Sequence, residues 1–248
     1  MKVRKTNYKT FLNYLNKVNP IFTDLEINDN VIRQKTDGNL GILESNISTL
    51  FPESVNMRLA LLKVKLPLFD IFTKTDSEEI DIEIDDKIIK VSDDYSDVTI
   101  GQAKVEYLSN RYMNETEVSN KINIDWNSES IATYTIPEML IKRIGTIANH
   151  LNAITLSANI SNSQMDFQII GSDKVNNSKP LKNIPVNYND ELRIHFTIYP
   201  FQISYDGDIK INLGIKQLQN GKLNAIMAID SSIEGIETKI YLKGSVIA

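Results

Sequence analysis

The residue types that most often perform catalysis form no recognisable catalytic group in this sequence. Its two histidines, His150 and His195, fall on different predicted elements, and no nucleophile motif lies near either of them. Gly221 and Lys222 are adjacent but lack the remaining glycines of a phosphate-binding loop. An enzyme needs an acid and a base that converge on one site, and the sequence shows no such pair. We therefore expect a protein that is not an enzyme and has no cofactor.

Three acidic residues alternate with isoleucines between positions 80 and 85, and they could be imagined as a metal site: Asp81, Glu83 and Asp85. Alternate side chains of a β-strand point to opposite faces, so the pattern predicts a strand with one apolar and one solvated face. The chain contains no cysteine, which excludes disulfides and thiolate metal sites. We expect no metal site.

Two amphipathic helices carry the chemistry that remains. Pro137 to Leu151 places apolar residues at helical spacing, with Lys142 and Arg143 on an opposite face that we predict to be free of acids. Thr6 to Val18 repeats this plan, and the cations beside it are Lys5, Lys9 and Lys17. Solvated lysines are the ordinary interpretation of either helix alone. Their recurrence favours a shared anionic partner, such as phosphate, bound without base specificity.

Composition sets limits on this hypothesis. The formal net charge of −5 argues weakly against indiscriminate binding to nucleic acid, although contact with phosphate depends on where the cations lie. The length of 248 residues and the hydrophobic fraction of 42% suit one large globular domain or two smaller ones. We find no apolar run of signal-peptide or membrane-spanning length. We expect a soluble, cytoplasmic protein, in the host cytoplasm if a phage encodes it, as the Asn-, Ile- and Lys-rich composition suggests.

The two halves of the chain repeat one pattern. Leu140 follows Phe11 by 129 positions, Ile209 follows Ile80 by the same 129, and Pro200 follows Pro67 by 133. Both halves run through a helix, a hairpin, strands, a proline-initiated turn and antiparallel strands. This predicts a duplicated, β-rich α+β unit. The predicted domains are residues 1–110 and 129–248, and the polar stretch 111–128 is the predicted connector.

Local patterns make four further predictions in the first half. They are a hairpin from Thr23 to Lys35, a buried strand from Met57 to Leu66, a short segment of at most one or two helical turns from Leu68 to Phe72, opened by Pro67, and a strand from Val98 to Leu108.

On these features the chain resembles a DNA polymerase sliding clamp, of the two-domain kind represented by proliferating cell nuclear antigen (PCNA) and the clamps of tailed phages. The resemblance rests on the length, the connector and the opening of each half, FLNYLNKV and MLIKRIGTI, with the hairpin that follows. The closing run HFTIYPFQISYDGDIKINLGI adds to it. It implies an α+β DNA-clamp fold, in which two duplicated domains have antiparallel sheets outside and short helices on the inner face.

The resemblance also implies function. The expected protein is a homotrimeric ring, a processivity factor for DNA replication that encircles double-stranded DNA, tethers DNA polymerase and is opened by a clamp-loader ATPase. Position by position, the implied DNA-binding residues are Lys5, Lys9, Lys17, Lys74, Lys142 and Arg143. The implied partner-peptide pocket consists of Tyr112, Met113, Trp126, Tyr134, Leu242, Val246 and Ile247, for which core packing is an equal explanation.

Two alternatives stay open at this point. One is a monomeric clamp-like factor that holds DNA by charge alone. The other is a β-rich viral structural or assembly protein without a DNA role. One departure from the clamp pattern is the stretch from Tyr199 to Tyr205, where the second half should have a short helix but has no cation.

Overall fold

The computed structural model describes residues 1–108 and 111–247 and divides into two compact units. Unit 1 comprises Met1–Asn39, Leu43–Asn114 and Ile233–Thr238, and unit 2 comprises Leu40–Ile42, Glu115–Ser232 and Lys239–Ala248. The predicted end of the first domain, at residue 110, lies outside the described residues. The predicted boundaries and connector therefore stay predictions. No helix within the described ranges is long and apolar enough to cross a bilayer.

The first half of the chain contains eight strands and two helices in its described part. In chain order they are β1 (Lys2–Arg4), α1 (Lys5–Val18), β2 (Leu25–Ile27), β3 (Val31–Lys35), β4 (Gly41–Asn46), β5 (Met57–Leu59), α2 (Leu62–Asp70), β6 (Glu79–Ile84), β7 (Ile88–Ser92) and β8 (Asp97–Gly101). Two short helices follow, α3 (Val105–Leu108) and α4 (Glu115–Ile122).

The second half repeats this order with one helix and a single helical turn at Tyr199–Gln202. Its elements are β9 (Ser130–Ile136), α5 (Glu138–His150), β10 (Thr155–Ser161), β11 (Gln164–Ile170), β12 (Asn177–Pro185), β13 (Leu192–Thr197), β14 (Ile209–Gln217), β15 (Leu223–Ile233) and β16 (Ile236–Ile247).

Strand pairing follows the same plan in both halves. The order β1-β6-β7-β8 in the first half has its counterpart in the order β9-β14-β15-β16. Likewise β2 pairs with β5, and β10 pairs with β13, both antiparallel. The predicted duplication is therefore confirmed, together with the α+β class, the antiparallel sheets and the few short helices.

The spacing of the repeat differs from the predicted value in the helices. The residues buried at equivalent positions are Tyr8, Phe11, Leu12 and Leu15 in α1, and Ile141, Ile144, Gly145 and Ala148 in α5. The helices are thus 133 residues apart (141 minus 8), and the predicted 129 is wrong for them. The error of four residues is close to one helical turn, which is about 3.6 residues. The apolar stripes of α1 and α5 therefore align almost equally well at either spacing.

The strands that follow keep the shorter spacing. Ile80 pairs with Val3, whereas Ile209 pairs with Ile136. Consequently β1 and β9 are 133 residues apart (136 minus 3), but β6 and β14 are 129 apart (209 minus 80). The second half is therefore four residues shorter than the first before β14, in the region where a single turn stands in place of α2.

The predicted strand from Met57 to Leu66 is wrong beyond Leu59. Leu61 adopts a left-handed conformation with φ of 56°, and α2 begins at the next residue. Leu62, Leu66 and Phe69 are the buried side chains of this helix, a spacing of i, i+4 and i+7. Short apolar runs fit a strand or a helix equally well by pattern, which explains the error. Leu68 to Phe72 is helical, as predicted, but Pro67 lies inside α2 and does not open a separate segment.

Two other predicted strands are shorter than expected. The strand predicted from Val98 to Leu108 ends at Gly101, and its last residues form α3. The hairpin from Thr23 to Lys35 has its tight turn, but the ladder stops at one bridge, Asn28 to Val31. Beyond it the Gln34 side chain accepts from the Glu26 N–H at 2.9 Å and donates to the Asp24 carbonyl at 2.9 Å. This side chain replaces the ladder bonds, and β2 pairs with β5 instead.

A buried hydrogen-bond chain fixes α1 within unit 1. The Tyr14 hydroxyl lies 2.6 Å from Oγ of Ser45, which donates to Oγ1 of Thr238 at 3.0 Å. Burial, partly offset by these two neighbours, raises the pKa of Tyr14 to about 12. The phenol therefore stays neutral over the working pH range.

We expect Tyr14→Phe to lower the free energy of unfolding by about 1–2 kcal/mol, because Ser45 loses a partner in a place that water does not reach. Urea titration followed by circular dichroism measures this. Tyr107→Phe is the matched control, since Tyr107 is 74% exposed and should change stability by less than about 0.5 kcal/mol. Equal effects of the two substitutions would contradict the prediction.

Helix α4 and the residues after it pack on the sheet of unit 2. Val118 and Ile122 are buried, and the Asn224 side-chain amide donates to the Ile122 carbonyl at 2.9 Å. A Cβ built on Gly214 would lie 2.6 Å from Cγ2 of Ile124 and 3.1 Å from Cζ3 of Trp126. Only glycine at position 214 thus lets this segment lie on the strand.

Candidate nucleic-acid interface

One lysine of α1, Lys9, is exposed to solvent and has no hydrogen-bond or ion-pair partner among the described residues. Its buried face packs inside unit 1, where the Tyr8 hydroxyl donates to the Phe69 carbonyl of α2 at 3.1 Å. Lys9 is exposed on the other side, and Thr6 and Asn16 are exposed with it. Lys9 is therefore accessible to a ligand, and its DNA-binding role stays a prediction.

The other two predicted cations of α1 are held by the protein. Nζ of Lys5 donates to the Thr75 carbonyl at 2.7 Å. Nζ of Lys17 lies 2.7 Å from Oε1 of Glu234, and the two side chains are only 25% and 24% exposed. Glu234 also accepts from the Asn13 amide at 3.3 Å. Lys17 thus has a partly buried carboxylate beside it, which opposes contact with phosphate.

The first N–H of helix α5 is bonded to a side chain from outside the helix, and the helix packs closely on the turn Tyr199–Gln202. The Glu138 N–H donates to Oδ1 of Asp208 at 3.0 Å, which satisfies one free N–H of the first turn. A Cβ on Gly145 would lie 3.0 Å from the Phe201 carbonyl oxygen, so the small residue permits this approach. Asn149 accepts from the Gln202 amide at 2.9 Å. The contacts fix which face of α5 is solvated.

The solvated face of α5 carries both predicted cations, but it is not free of acids as predicted. Nζ of Lys142 lies 2.5 Å from Oε1 of Glu138, one turn earlier on the same face. An exposed pair of this kind contributes only about 0.3–0.5 kcal/mol, so phosphate can replace the carboxylate. Arg143 is exposed and has no partner within the described ranges. With the corrected spacing, Lys142 is the repeat counterpart of Lys9 (142 minus 9 gives 133).

Helix α2 adds cations that the sequence analysis missed, because this stretch was predicted as a strand. Lys63 is exposed without a partner in the described part of the chain. Nζ of Lys65 donates to the Gly101 carbonyl at 3.1 Å. Lys74, which was predicted and lies beyond the end of α2, is exposed, and its Nζ lies 3.4 Å from Oδ2 of Asp70. The signal that could have found Lys63 is the helical spacing of Leu62, Leu66 and Phe69.

The acidic strand is a solvated face, as predicted. Ile80 and Ile82 are buried in β6, whereas Glu83 is exposed. Asp85 lies in the following turn, where the N–H groups of Lys87 and Ile88 lower the pKa of its carboxyl group. Within the described residues no three metal-ligating side chains are grouped.

The two histidines differ in environment. His150 is exposed at the last turn of α5. His195 lies on β13, where burial and the neighbouring charge of Arg193 lower its pKa. Its Nε2 atom is buried without a hydrogen-bond partner in the described structure.

Comparison with known proteins gives a match in structure only. No protein-family profile and no curated protein matches the sequence. Solved structures match over the whole chain. A structure of the C-terminal region of FEN-1 bound to A. fulgidus PCNA has a TM-score of 0.58 and 11% identity, covering 100% of this chain and 98% of that chain. PCNA from Entamoeba histolytica has a TM-score of 0.60 and 12% identity, with 98% and 97% covered.

The chain has the DNA sliding-clamp fold. The DNA polymerase sliding clamp from Caulobacter crescentus is also similar, with a TM-score of 0.62 and 9% identity. This chain is covered entirely in that comparison, and 65% of the Caulobacter chain is covered. Identities this low show the fold alone.

The residues predicted for the partner pocket of this clamp fold differ in exposure and in unit. Tyr112 and Met113 belong to unit 1, where the Met113 N–H donates to the Arg33 carbonyl at 2.8 Å. Met113 and Leu242 are buried. The remaining residues belong to unit 2 and are at least partly exposed: Trp126, Tyr134, Val246 and Ile247.

One of these tail residues lines a cavity of the clamp fold. Ile247 is 40% exposed and borders a space of about 450 Å³ in unit 2, together with Arg193 and Asn159. Nε of Arg193 donates to Oδ1 of Asn159 at 3.0 Å, which holds both side chains at the rim. The cavity places an apolar side chain beside a guanidinium group. The role of all seven pocket residues stays a prediction.

Proposed function

We propose that this chain is a DNA sliding clamp, a noncatalytic homotrimeric ring that encircles double-stranded DNA and tethers DNA polymerase. The observation that carries the proposal is that two of the described strands, β8 and β12, each have one edge without a partner strand. The strands at the corresponding positions of the other repeat, β16 and β4, pair with each other.

The joined edges are β4 and β16. The Lys243 N–H donates to the Leu40 carbonyl at 3.1 Å within unit 2, and Ser45 donates to Thr238 within unit 1. In the repeat, β4 corresponds to β12 and β16 corresponds to β8. Among the described strands, β8 pairs only with β7, and β12 pairs only with β11. An unpaired edge is a template for another strand, so β8 of one copy can accept β12 of the next.

Such a contact is head-to-tail, because each copy contributes two different surfaces. Head-to-tail contacts generate a closed ring when the rotation between copies closes. Three copies would bring together six repeated units, which is the number that the clamp resemblance implies. The unpaired edges therefore support the ring rather than an isolated monomer.

Solvated cations support the DNA role. Lys9 and Lys142 occupy the same position of the repeat, and Arg143 adds a charge beside the second. Lysine and arginine bind phosphate without reading base sequence, and weak contacts of this kind exchange easily. A ring with these side chains on its inner face would slide, while its closure would keep it on the DNA.

The proposed partners follow from the clamp function. A ring has to be opened to admit circular DNA, so we include a clamp-loader ATPase. The A. fulgidus PCNA binds the C-terminal region of FEN-1, and we propose that a polymerase and other replication factors attach to this chain through similar peptides. Ile247 and the cavity beside it are the proposed point of contact.

Ring closure has a direct test. Dilute protein is mixed with nicked circular DNA and then concentrated, so that copies can assemble around the duplex. We expect light scattering to give the protein a mass of three subunits. The protein should elute together with the circular DNA on gel filtration and should be released when a restriction enzyme linearises that DNA. A single-subunit mass would support the monomeric alternative, and no retention on circles would support a structural protein without a DNA role.

A further inference from the structure

Glu234 binds the polar side of α1 from a distant part of the chain. Its Oε1 lies 2.7 Å from Nζ of Lys17, and its Oε2 accepts from the Asn13 side-chain amide at 3.3 Å. Asn13 and Lys17 are one helical turn apart, and Lys9 precedes Asn13 by another turn, so the three share one side of the helix. Both oxygens of the carboxylate are therefore engaged with this side of α1, on which Lys9 remains solvated.

The backbone holds Glu234 in a conformation that glutamate disfavours. Glu234 and Gly235 connect β15 to β16, and their φ angles are 54° and 73°. A two-residue turn with positive φ at both positions favours asparagine or glycine, because other residues are strained in the left-handed region. The flanking Ile233 and Ile236 are buried, which fixes the turn within unit 1. A glutamate kept in such a turn points to a role for its side chain.

Stability is a weak explanation of this ion pair. Both side chains are about three-quarters buried, and the cost of removing two charges from water can exceed their attraction. The pair on α5 differs, because Glu138 and Lys142 are 41% and 65% exposed and phosphate can take the place of Glu138. Phosphate that approaches Lys17 meets a carboxylate that α1 holds through two side chains. Like charges repel, so this carboxylate keeps phosphate away from Lys17.

We propose that Glu234 restrains the binding of α1 to DNA, as a fixed counter-ion that keeps Lys17 from phosphate. This rests on the proposed DNA role of the helices and adds a residue that lies outside them. Each phosphate contact that is withheld lowers the affinity and the salt dependence of binding. The restraint therefore favours sliding over static attachment.

Removing the charge of Glu234 tests the restraint. Glu234→Gln keeps the length of the side chain and an oxygen for Asn13, but it takes the carboxylate away from Lys17. We expect the whole chain to bind a short DNA duplex at least about threefold more tightly at 150 mM salt, and the slope of log affinity against log salt to steepen by about 0.9. Fluorescence anisotropy across a salt series measures both quantities. Glu234→Asn, which suits a left-handed turn, should shift them in the same direction.

Two further variants show whether the gain comes from Lys17. Adding Lys17→Met to Glu234→Gln should return the salt slope to the wild-type value. Glu129→Gln is the matched control, because it removes one negative charge from an ion pair of similar exposure, in which Oε1 of Glu129 lies 3.2 Å from Nζ of Lys216. The control should keep the wild-type slope.

Circular dichroism and urea titration establish that each variant is folded. A wild-type slope in both Glu234 variants, a gain that persists after Lys17→Met, or an equal gain in Glu129→Gln would overturn the restraint and leave the DNA role standing. A wild-type chain without measurable affinity for the duplex at low salt would instead overturn the DNA role itself.

Discussion

Replacing Lys9, Lys142 and Arg143 together with alanine is expected to weaken binding to short duplex DNA by at least about tenfold at 150 mM salt. These three side chains are solvated, and within the described part of the chain the one carboxylate that pairs with any of them, Glu138, does so in an exposed pair. Each lysine that contacts phosphate contributes about 0.9 to the slope of log affinity against log salt, so the slope should also fall. Fluorescence anisotropy across a salt series measures both quantities.

The control for this experiment removes the same charge elsewhere. Lys87, Lys121 and Lys222 are exposed on turns or on α4, and their joint replacement with alanine changes the net charge equally. We expect the control to keep the wild-type salt slope and both variants to keep the wild-type mass. If the control loses as much affinity as the helix variant, the binding is a general charge effect and the helix faces have no special role.

Lys17 is left out of the substituted set for a structural reason. Its ammonium group lies 2.7 Å from Glu234, and both side chains are three-quarters buried. Removing Lys17 would leave a partly buried carboxylate without its cation, and the protein would lose stability for reasons unrelated to DNA. A four-residue variant that includes Lys17 would mix the two effects.

The second large effect is expected from Gly244→Ala in β16. A Cβ at this position would lie 2.4 Å from Cγ2 of Ile194 and 2.8 Å from Cε1 of Phe196. Both neighbours are buried, and Ile194 is β-branched, so neither can turn away at low cost. We expect the free energy of unfolding to fall by about 1–3 kcal/mol, measured by urea titration.

Gly101→Ala is the matched control for this prediction. Gly101 also lies in a strand, but the nearest atom to an added Cβ is the Lys87 carbonyl oxygen at 4.0 Å, an ordinary contact distance. Alanine there should change stability by less than about 1 kcal/mol. A Gly244→Ala protein as stable as the control would mean that β16 can shift away from β13.

The long elements were predictable from the sequence because their patterns extend over several turns or several alternations. Helices α1 and α5 bury one side only, so their stripes are visible, and β6 alternates isoleucine with acid along its length. Helix α2 was missed for the opposite reason. It is apolar on both sides, since Val64 and Leu68 are exposed while Leu62 and Leu66 are buried, and the exposed residues obscure the helical spacing of the buried ones.

The sequence predicted which helices carry the cations of the candidate site, but it did not predict all of the ion pairs that these cations form. The sequence indicated which helices carry cations, and it contained the signal for the Glu138 and Lys142 pair, one turn apart on one helix. It contained no local signal for Lys17, because Glu234 approaches from the other end of the chain. Contacts between residues remote in sequence depend on the tertiary fold, which periodicity does not describe.

The exchange of short segments between the units limits how the protein can be divided. Residues Ile233–Thr238 at the tip of the β15–β16 hairpin belong to unit 1, and Leu40–Ile42 belong to unit 2. A protease cut in the connector would therefore not release two complete modules, because each fragment would carry a piece of the other's core. Separately expressed halves should need each other to fold, in the manner of complementing fragments. The unit boundaries in space therefore do not coincide with any single point at which the chain could be cut.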